Sequence, residues 1–374
     1  MASDDRIESY DGVDVGGTVI PDDVLNAAEE MAAGNLVAFN SSTYSVIDQG
    51  GTDPITAARD AIPNGGAVWL PPGGEAVQST GAIGGFNRIH YYCPSEQDQF
   101  TIRFTDYANP GIHVDGAVAD ERYTTFENIE FHGDDRSQRS GTARTAIKFD
   151  TAVPFWNLRG TCDFVEWGDP VIHMDTGHPF ESEWGKFYGR LYDGRFILMQ
   201  DGGEPLKIRH ITAGPENATD PSTGATAHTV HMDGPGGYLS VDTLDSRANK
   251  FCPRQLQLEI SGADACDFGV VDWESSDTTA TAVVNIQGQG KATIGKIRTV
   301  GADIDHAYRL GFDNASQILG PIQQNSMSYV SRISVEDDTA GLLAYQGPAS
   351  DITNNSGTSP LSNEIECWGP NFTG

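Results

Sequence analysis

A short unit recurs along this chain at near-constant spacing: apolar, any residue, apolar, then usually a small or polar residue. It reads Ile112-His113-Val114-Asp115, Ile147-Lys148-Phe149-Asp150, Ile172-His173-Met174-Asp175 and Ile197-Leu198-Met199-Gln200. It continues as Val230-His231-Met232-Asp233, Leu258-Glu259-Ile260-Ser261, Val284-Asn285-Ile286-Gln287 and Tyr308-Arg309-Leu310-Gly311. The third residues stand at 114, 149, 174, 199, 232, 260, 286 and 310, so most steps are 24 to 28 residues and two are longer, 35 and 33. Alternation inside the unit describes a strand with one face buried. A period in the twenties describes a solenoid, whose equivalent strands lie parallel about 4.8 Å apart. In the later units a second strand starts at Leu239, Phe268, Ile294 and Ile318.

Helical spacing is absent from these units. A leucine-rich repeat would need a helix or helical turn in each coil and a regular Asn ladder, and an antiparallel sandwich would not hold eight units in phase. The expected fold is therefore all-β: a single-stranded right-handed parallel β-helix. Val114, Phe149, Met174, Met199, Met232, Ile260, Ile286 and Leu310 are expected to form one buried column.

The end of such a rod exposes core and strand edges and needs a cap. Residues 46–73 provide one. Asp53 is placed to cap a helix with Pro54 at its first position, running to about Ile62. The turn Asn64-Gly65-Gly66 then leads into the strand Ala67-Val68-Trp69-Leu70, which Pro71-Pro72-Gly73 ends. Together with Gly51-Thr52-Asp53, Ala57-Ala58 and Ala61-Ile62, this stretch resembles the opening coil of pectate-lyase-like β-helix proteins, a family that includes many viral tailspikes and tail-fibre depolymerases. The resemblance covers about 25 residues, and beyond them only the repeat period supports it. It implies a β-helix body over residues 46–335. By analogy, residues 1–45, with a short helix over Pro21 to Ala33, would attach a spike to virion structural proteins. The repeat weakens after Val335, so residues 336–374 read as a C-terminal cap or oligomer contact. Similar spikes are homo-oligomers, which makes a trimer the first expectation and a pentamer the second. The resemblance implies little about activity, because fold and function separate readily.

Charge narrows the setting. The chain carries 53 acidic and 23 basic residues, a formal net charge of -30. Only six of the basic residues are Lys, the rest Arg. So acidic and Lys-poor a surface suits concentrated salt, where carboxylates stay hydrated and their repulsion is screened within ~3 Å at 1 M. The same field repels phosphate and excludes a nucleic-acid partner. Met1 to Val15 shows no basic and apolar signal pattern, and no run approaches the ~18 apolar residues of a membrane span. The expectation is a protein made in the host cytoplasm that works on a virion surface in a high-salt medium, with no membrane insertion. Cys93, Cys162, Cys252, Cys266 and Cys367 lack Cys-x-x-Cys spacing, so they read as buried thiols, with a Cys252–Cys266 bridge as the alternative.

Candidate chemistry follows from the two long steps. They arise from insertions at His132–Arg144 and Ala213–Ala227, each just ahead of a first strand and therefore at one corner of the coil. Three coils, roughly 14 Å, separate these walls. The floor between them would hold Trp167 and Tyr192 as stacking platforms for sugar rings, with Arg190 and Arg195 as hydroxyl partners. Glu166, Asp169 and Asp193 are weak candidates for a carboxylate pair of the glycosidase kind. No Asp cluster has calcium spacing, and the Gly-His-Gly and paired Asp of polygalacturonases are missing; Gly177-His178-Pro179 matches only superficially. His113, His173 and His231 face outward on coils that are not neighbours, so no metal site is expected, and no cofactor. Five Asn-x-Ser/Thr sequons, at Asn40, Asn217, Asn314, Asn354 and Asn371, are at the level chance gives in a polar sequence. The functional expectation is a virion spike or fibre that binds a host surface polysaccharide or glycoprotein glycan. The alternative is a polysaccharide hydrolase or lyase of the same fold.

Overall fold

The computed structural model shows a parallel β-helix. It describes residues 88–116, 123–202 and 205–214, and 53–79 except position 63, with strand and helix segments between 12 and 46 and between 228 and 367. Each coil contributes to two sheets. A ten-stranded sheet stacks the recurring unit from Ile112–Val114 to Ile352–Asn354. The second, longer sheet carries two arms per coil, as in Asn157–Val165, Ser182–Arg190 and Leu206–Gly214. Coil-to-coil pairings are parallel throughout both sheets.

The expected column is real. Val114, Phe149, Met174, Met199, Met232, Ile286 and Leu310 are all buried, and each pairs with the next in register where the coils adjoin. One member is corrected. Met232 pairs with Leu258, and Leu258 with Ile286, so Leu258 and not Ile260 fills the column. Arg254-Gln255-Leu256-Gln257-Leu258-Glu259-Ile260 alternates over seven residues, and a two-residue slip keeps the same face inward; alternation alone does not choose between the two registers. The second strand slips by one residue instead, which reverses facing: Leu319, not Ile318, pairs with Ile294 and is buried, leaving Ile318 48% exposed.

At the N-terminal end, helix α1 (Pro54–Ala61) begins with Pro54 as expected and buries Ile55 and Ala58 against the first coil. Asp53 does not cap it through its side chain. Asp53 lies in the left-handed region at φ 57°, and its carboxylate accepts from the Ser79 backbone N–H instead, tying the helix start to the end of the first coil. The strand Val37–Asn40 pairs antiparallel with Gly66–Trp69, so part of the segment ahead of residue 46 covers the open edge. Of the helix expected over Pro21 to Ala33, residues 28–32 are helical and 22–27 lie outside the described residues. At the other end the parallel ladder runs on past Val335, through Gly341–Tyr345 and Ile352–Asn354 to Ile365–Cys367.

The two arms of the long sheet, a lower arm before and an upper arm after, meet at a sharp bend in each coil. Asn128 and Gly160 take left-handed φ values of 58° and 62° there, and the ladder shifts register between Leu158 and Thr161. Asn128 holds the bend through its side chain, accepting from Thr161 N at 3.0 Å and donating to Cys93 O at 2.8 Å. Gly185 follows Gly160 in the stack, and a Cβ on Gly185 would overlap the Gly160 carbonyl oxygen. Only glycine lets the two backbones approach so closely. Cys93, Cys162 and Cys266 are buried free thiols, Cys266 donating to Lys291 O at 3.6 Å; Cys252, the other member of the bridge considered, lies outside the described residues.

Candidate functional site

The insertion at His132–Arg144 does leave the rod between the long sheet and the ten-stranded sheet, the corner the sequence pointed to. It does not stand up as a wall. It folds down in two short 3-10 turns, Arg136–Gln138 and Gly141–Arg144, and sends Arg139 into the body. The Arg139 guanidinium is buried and donates to the carbonyls of Gly133 (2.7 Å), Ala143 (2.8 Å), Asp106 and Phe104. It lies 4.4 Å above the Trp167 ring. Burial pushes its pKa down to about 10, so it remains charged at neutral pH. Positions 215–227 of the second insertion lie outside the described residues.

Trp167 and Tyr192 are both 0% exposed, which corrects their assignment as sugar-stacking platforms. Trp167 donates its indole N–H to Phe131 O at 2.9 Å and packs against Phe104; Tyr192 packs against Phe196. The cause is local. Glu166 and Leu191 hold equivalent places on neighbouring coils and take φ values of 60° and 54°, which breaks strand alternation and turns the next residue inward. The polar candidates are brought together but are already engaged. Asp169 accepts from Arg195 Nε at 2.8 Å and Nη2 at 3.1 Å. Asp193 pairs with Arg144 at 2.8 Å and Arg136 at 3.3 Å, and Arg136 also stands 3.9 Å from Glu166. This corner is an ion-pair lattice that fastens the insertion to the coils. Arg190, half exposed, points instead over the upper arm, where one nitrogen meets Glu130 at 3.1 Å and Asp163 at 2.7 Å.

A different place on the rod is open. At the bend between the arms, outward side chains from both line a cleft of about 420 Å³. Gly160 and Gly185 leave its floor bare, with the buried Trp184 beneath. Arg159 and Arg209 flank Gly185 on the coils before and after it, with Glu127, Glu183 and Lys186 around them. The Cys93–Gln99 turn closes one side: Glu96 meets Lys186 at 3.5 Å and Thr161 at 3.2 Å, and Gln99 donates to Thr161 O at 2.7 Å. Glu127 is bonded to His90 at 2.8 Å. Two aromatic side chains are exposed beside the cleft. Tyr92 is 36% exposed one coil before Glu127, and Tyr188 is 37% exposed two residues beyond Lys186. Sequence reading missed this place, yet a signal was present: Gly160 and Gly185, then Gly269, Gly295 and Gly320, recur at the coil period of 25 or 26 residues.

On the upper arm beside the cleft, Glu130 and Asp163 are register partners on adjacent coils. Burial raises the Asp163 carboxyl above the ordinary aspartate value, against the lowering effect of Arg190. Both share one Arg190 nitrogen, at 3.1 Å and 2.7 Å, so their nearest oxygens are at most about 6 Å apart, a bound that a retaining glycosidase pair at roughly 5 Å would satisfy.

Fold and cleft together define a parallel β-helix with an open polar groove at the bend of its long sheet. No family model, curated protein or solved structure matches the chain.

Proposed function

We propose that this rod is a carbohydrate-binding spike or fibre of a virion surface, which takes a host cell-surface glycan at the bend cleft in concentrated salt. The observation that carries the reading is the cleft itself. It gathers guanidinium, ammonium and carboxylate groups over a bare backbone floor, with exposed Tyr92 and Tyr188 outside its lining but close to it in the strand register, the mixture that hydroxyl-rich, flat-faced rings need. The virion setting, the homo-oligomeric assembly and attachment through the N-terminal segment rest on the sequence of the opening coil; the salt setting rests on the charge of -30. The test is to mix purified protein, in molar salt, with polysaccharide extracted from the envelope of a halophilic host. Retention of polysaccharide at unchanged length supports a binding spike. Absence of binding across envelope polysaccharides overturns the reading.

One observation favours a polysaccharide-degrading enzyme as the second reading: the Glu130–Asp163 pair, with Asp163 raised by burial. On that reading Asp163 is the proton donor and Glu130 the second carboxylate. Polysaccharide would then be shortened, and Asp163→Asn would abolish shortening while leaving binding in place. Intact chain lengths after prolonged incubation remove this second reading.

A further inference from the structure

The insertion at 133–144 starts from His132, the last residue of the strand Ile129–His132, and two donors converge there on one imidazole nitrogen. His132 Nδ1 accepts from the Asp134 N–H at 3.0 Å and from the guanidinium of Arg103, its register partner on the preceding coil, at 3.4 Å. Neither partner can reverse its role, because a peptide N–H and a guanidinium only donate. Nδ1 therefore carries a lone pair, and the ring is neutral with its proton on Nε2. The contact holds Asp134 in the left-handed region at φ 62°, where the chain turns out of the strand. From there the insertion runs as a strap across the corner, and its Arg139 covers the Trp167 ring.

A proton added to Nδ1 removes both contacts at once and sets an imidazolium against Arg103. The carboxylates facing the ring are already engaged. Glu130, on the same strand, is held by Arg190, and Glu166, at the end of the next coil's upper arm, stands 3.9 Å from Arg136. On the strap, Asp134 is held by Arg103 and Tyr107, and Asp135 accepts from the Ser137 N–H. Glu75, two coils before His132, takes the remaining nitrogens of Arg103 at 3.1 and 2.8 Å. Burial, and after it Arg103, hold the imidazole below the ordinary histidine value, outweighing Glu130, Glu166 and Asp134. We infer that His132 is an acid-released latch: neutral, it fastens the strap; protonated, it lets the strap lift and uncovers the Trp167 face. The inference stands whatever the rod binds. The latched ring has the lowered value, so latching is complete above the free imidazole value of ~6.5 and weakens by up to about tenfold per pH unit below it. Arg139 stays charged through this window, so the strap opens more often without detaching for good.

Amide hydrogen exchange of the full chain in molar salt tests the latch, with protection corrected for the intrinsic rate at each pH. From pH ~7.5 to pH ~5, still above the carboxylate range, the strap amides of Asp134, Arg139 and Ala143 should lose protection about tenfold or more relative to the strand Asn157–Val165. Hydroxyl-radical oxidation of Trp167 should rise over the same interval while the core residues Trp156 and Trp184 stay protected. The variant His132→Asn places an oxygen near the Nδ1 position and cannot take up a proton. It should keep wild-type protection near neutrality and show neither change on acidification. A wild-type response that is flat in either readout overturns the inference. So does a response that persists in the folded His132→Asn protein, because the proton then binds elsewhere. Should that variant fail to fold, the wild-type onset decides: release beginning between pH ~6.5 and pH ~5 supports the latch, and release beginning near pH ~4 belongs to carboxylates and overturns it.

Discussion

Arg139 and Trp167 act as one structural unit at the corner first expected to bind sugar. The guanidinium supplies donors to four backbone carbonyls and covers the indole face, so neither side chain is available to a ligand. Trp167→Ala should cost roughly 3–5 kcal/mol by leaving a large cavity, with no selective effect on glycan binding. Thermal unfolding and a glycan titration on the same sample check this; weakened binding at unchanged stability would contradict it. A second residue-scale expectation concerns Asp150. Burial alone would raise its carboxyl, but hydrogen bonds from Lys148 and His113 outweigh that and hold it below the ordinary aspartate value. Its contribution is therefore complete above the unfolded carboxylate value and disappears as pH falls through the lowered folded value. Asp150→Asn should lower stability near neutrality by at most about 1 kcal/mol, since the pair is partly exposed, and the difference should vanish well below pH ~4. Melting curves against pH show it; a difference that grows on acidification would reverse the sign.

Elements were legible where strand alternation continues unbroken. The units at Ile112, Ile147, Ile172, Ile197 and Val230 each gave a strand with the expected face inside. Sequence reading failed where alternation is interrupted or ambiguous. The uninterrupted pattern of Arg254–Ile260 fits two registers, so only pairing with Met232 and Ile286 selects Leu258. At the corners, left-handed Glu166 and Leu191 reverse the facing of Trp167 and Tyr192, and nothing in those residue types announces a positive φ. The bend that makes the cleft was readable only as glycines at the coil period, a weak mark in a chain with 43 of them. Its geometry leads to an element-scale prediction. Gly185→Ala forces a methyl against the Gly160 carbonyl and should destabilise by roughly 1–3 kcal/mol while distorting the cleft floor. Equal melting temperatures for Gly185→Ala and wild type would show that the bend is looser than described.

At the scale of the whole molecule, the net charge of -30 sits on a thin rod with a modest core per coil. Unscreened carboxylates repel along its length, and molar salt shortens the range of that repulsion to ~3 Å. The melting temperature should therefore rise from low to molar salt, and a flat or falling profile would remove the case for a high-salt setting. The lower arms, upper arms and short strands give the rod distinct faces, and the proposed binding follows one line on one of them. Hydroxyl-radical footprinting of the rod, free and saturated with the envelope polysaccharide it retains, reads that assignment directly. Protection should concentrate on Tyr92, Lys186, Tyr188 and Arg209 beside the cleft. Protection centred on Arg144 and Arg195, or on the outer face of the ten-stranded sheet at His113 and His173, with the cleft residues unchanged, would contradict it.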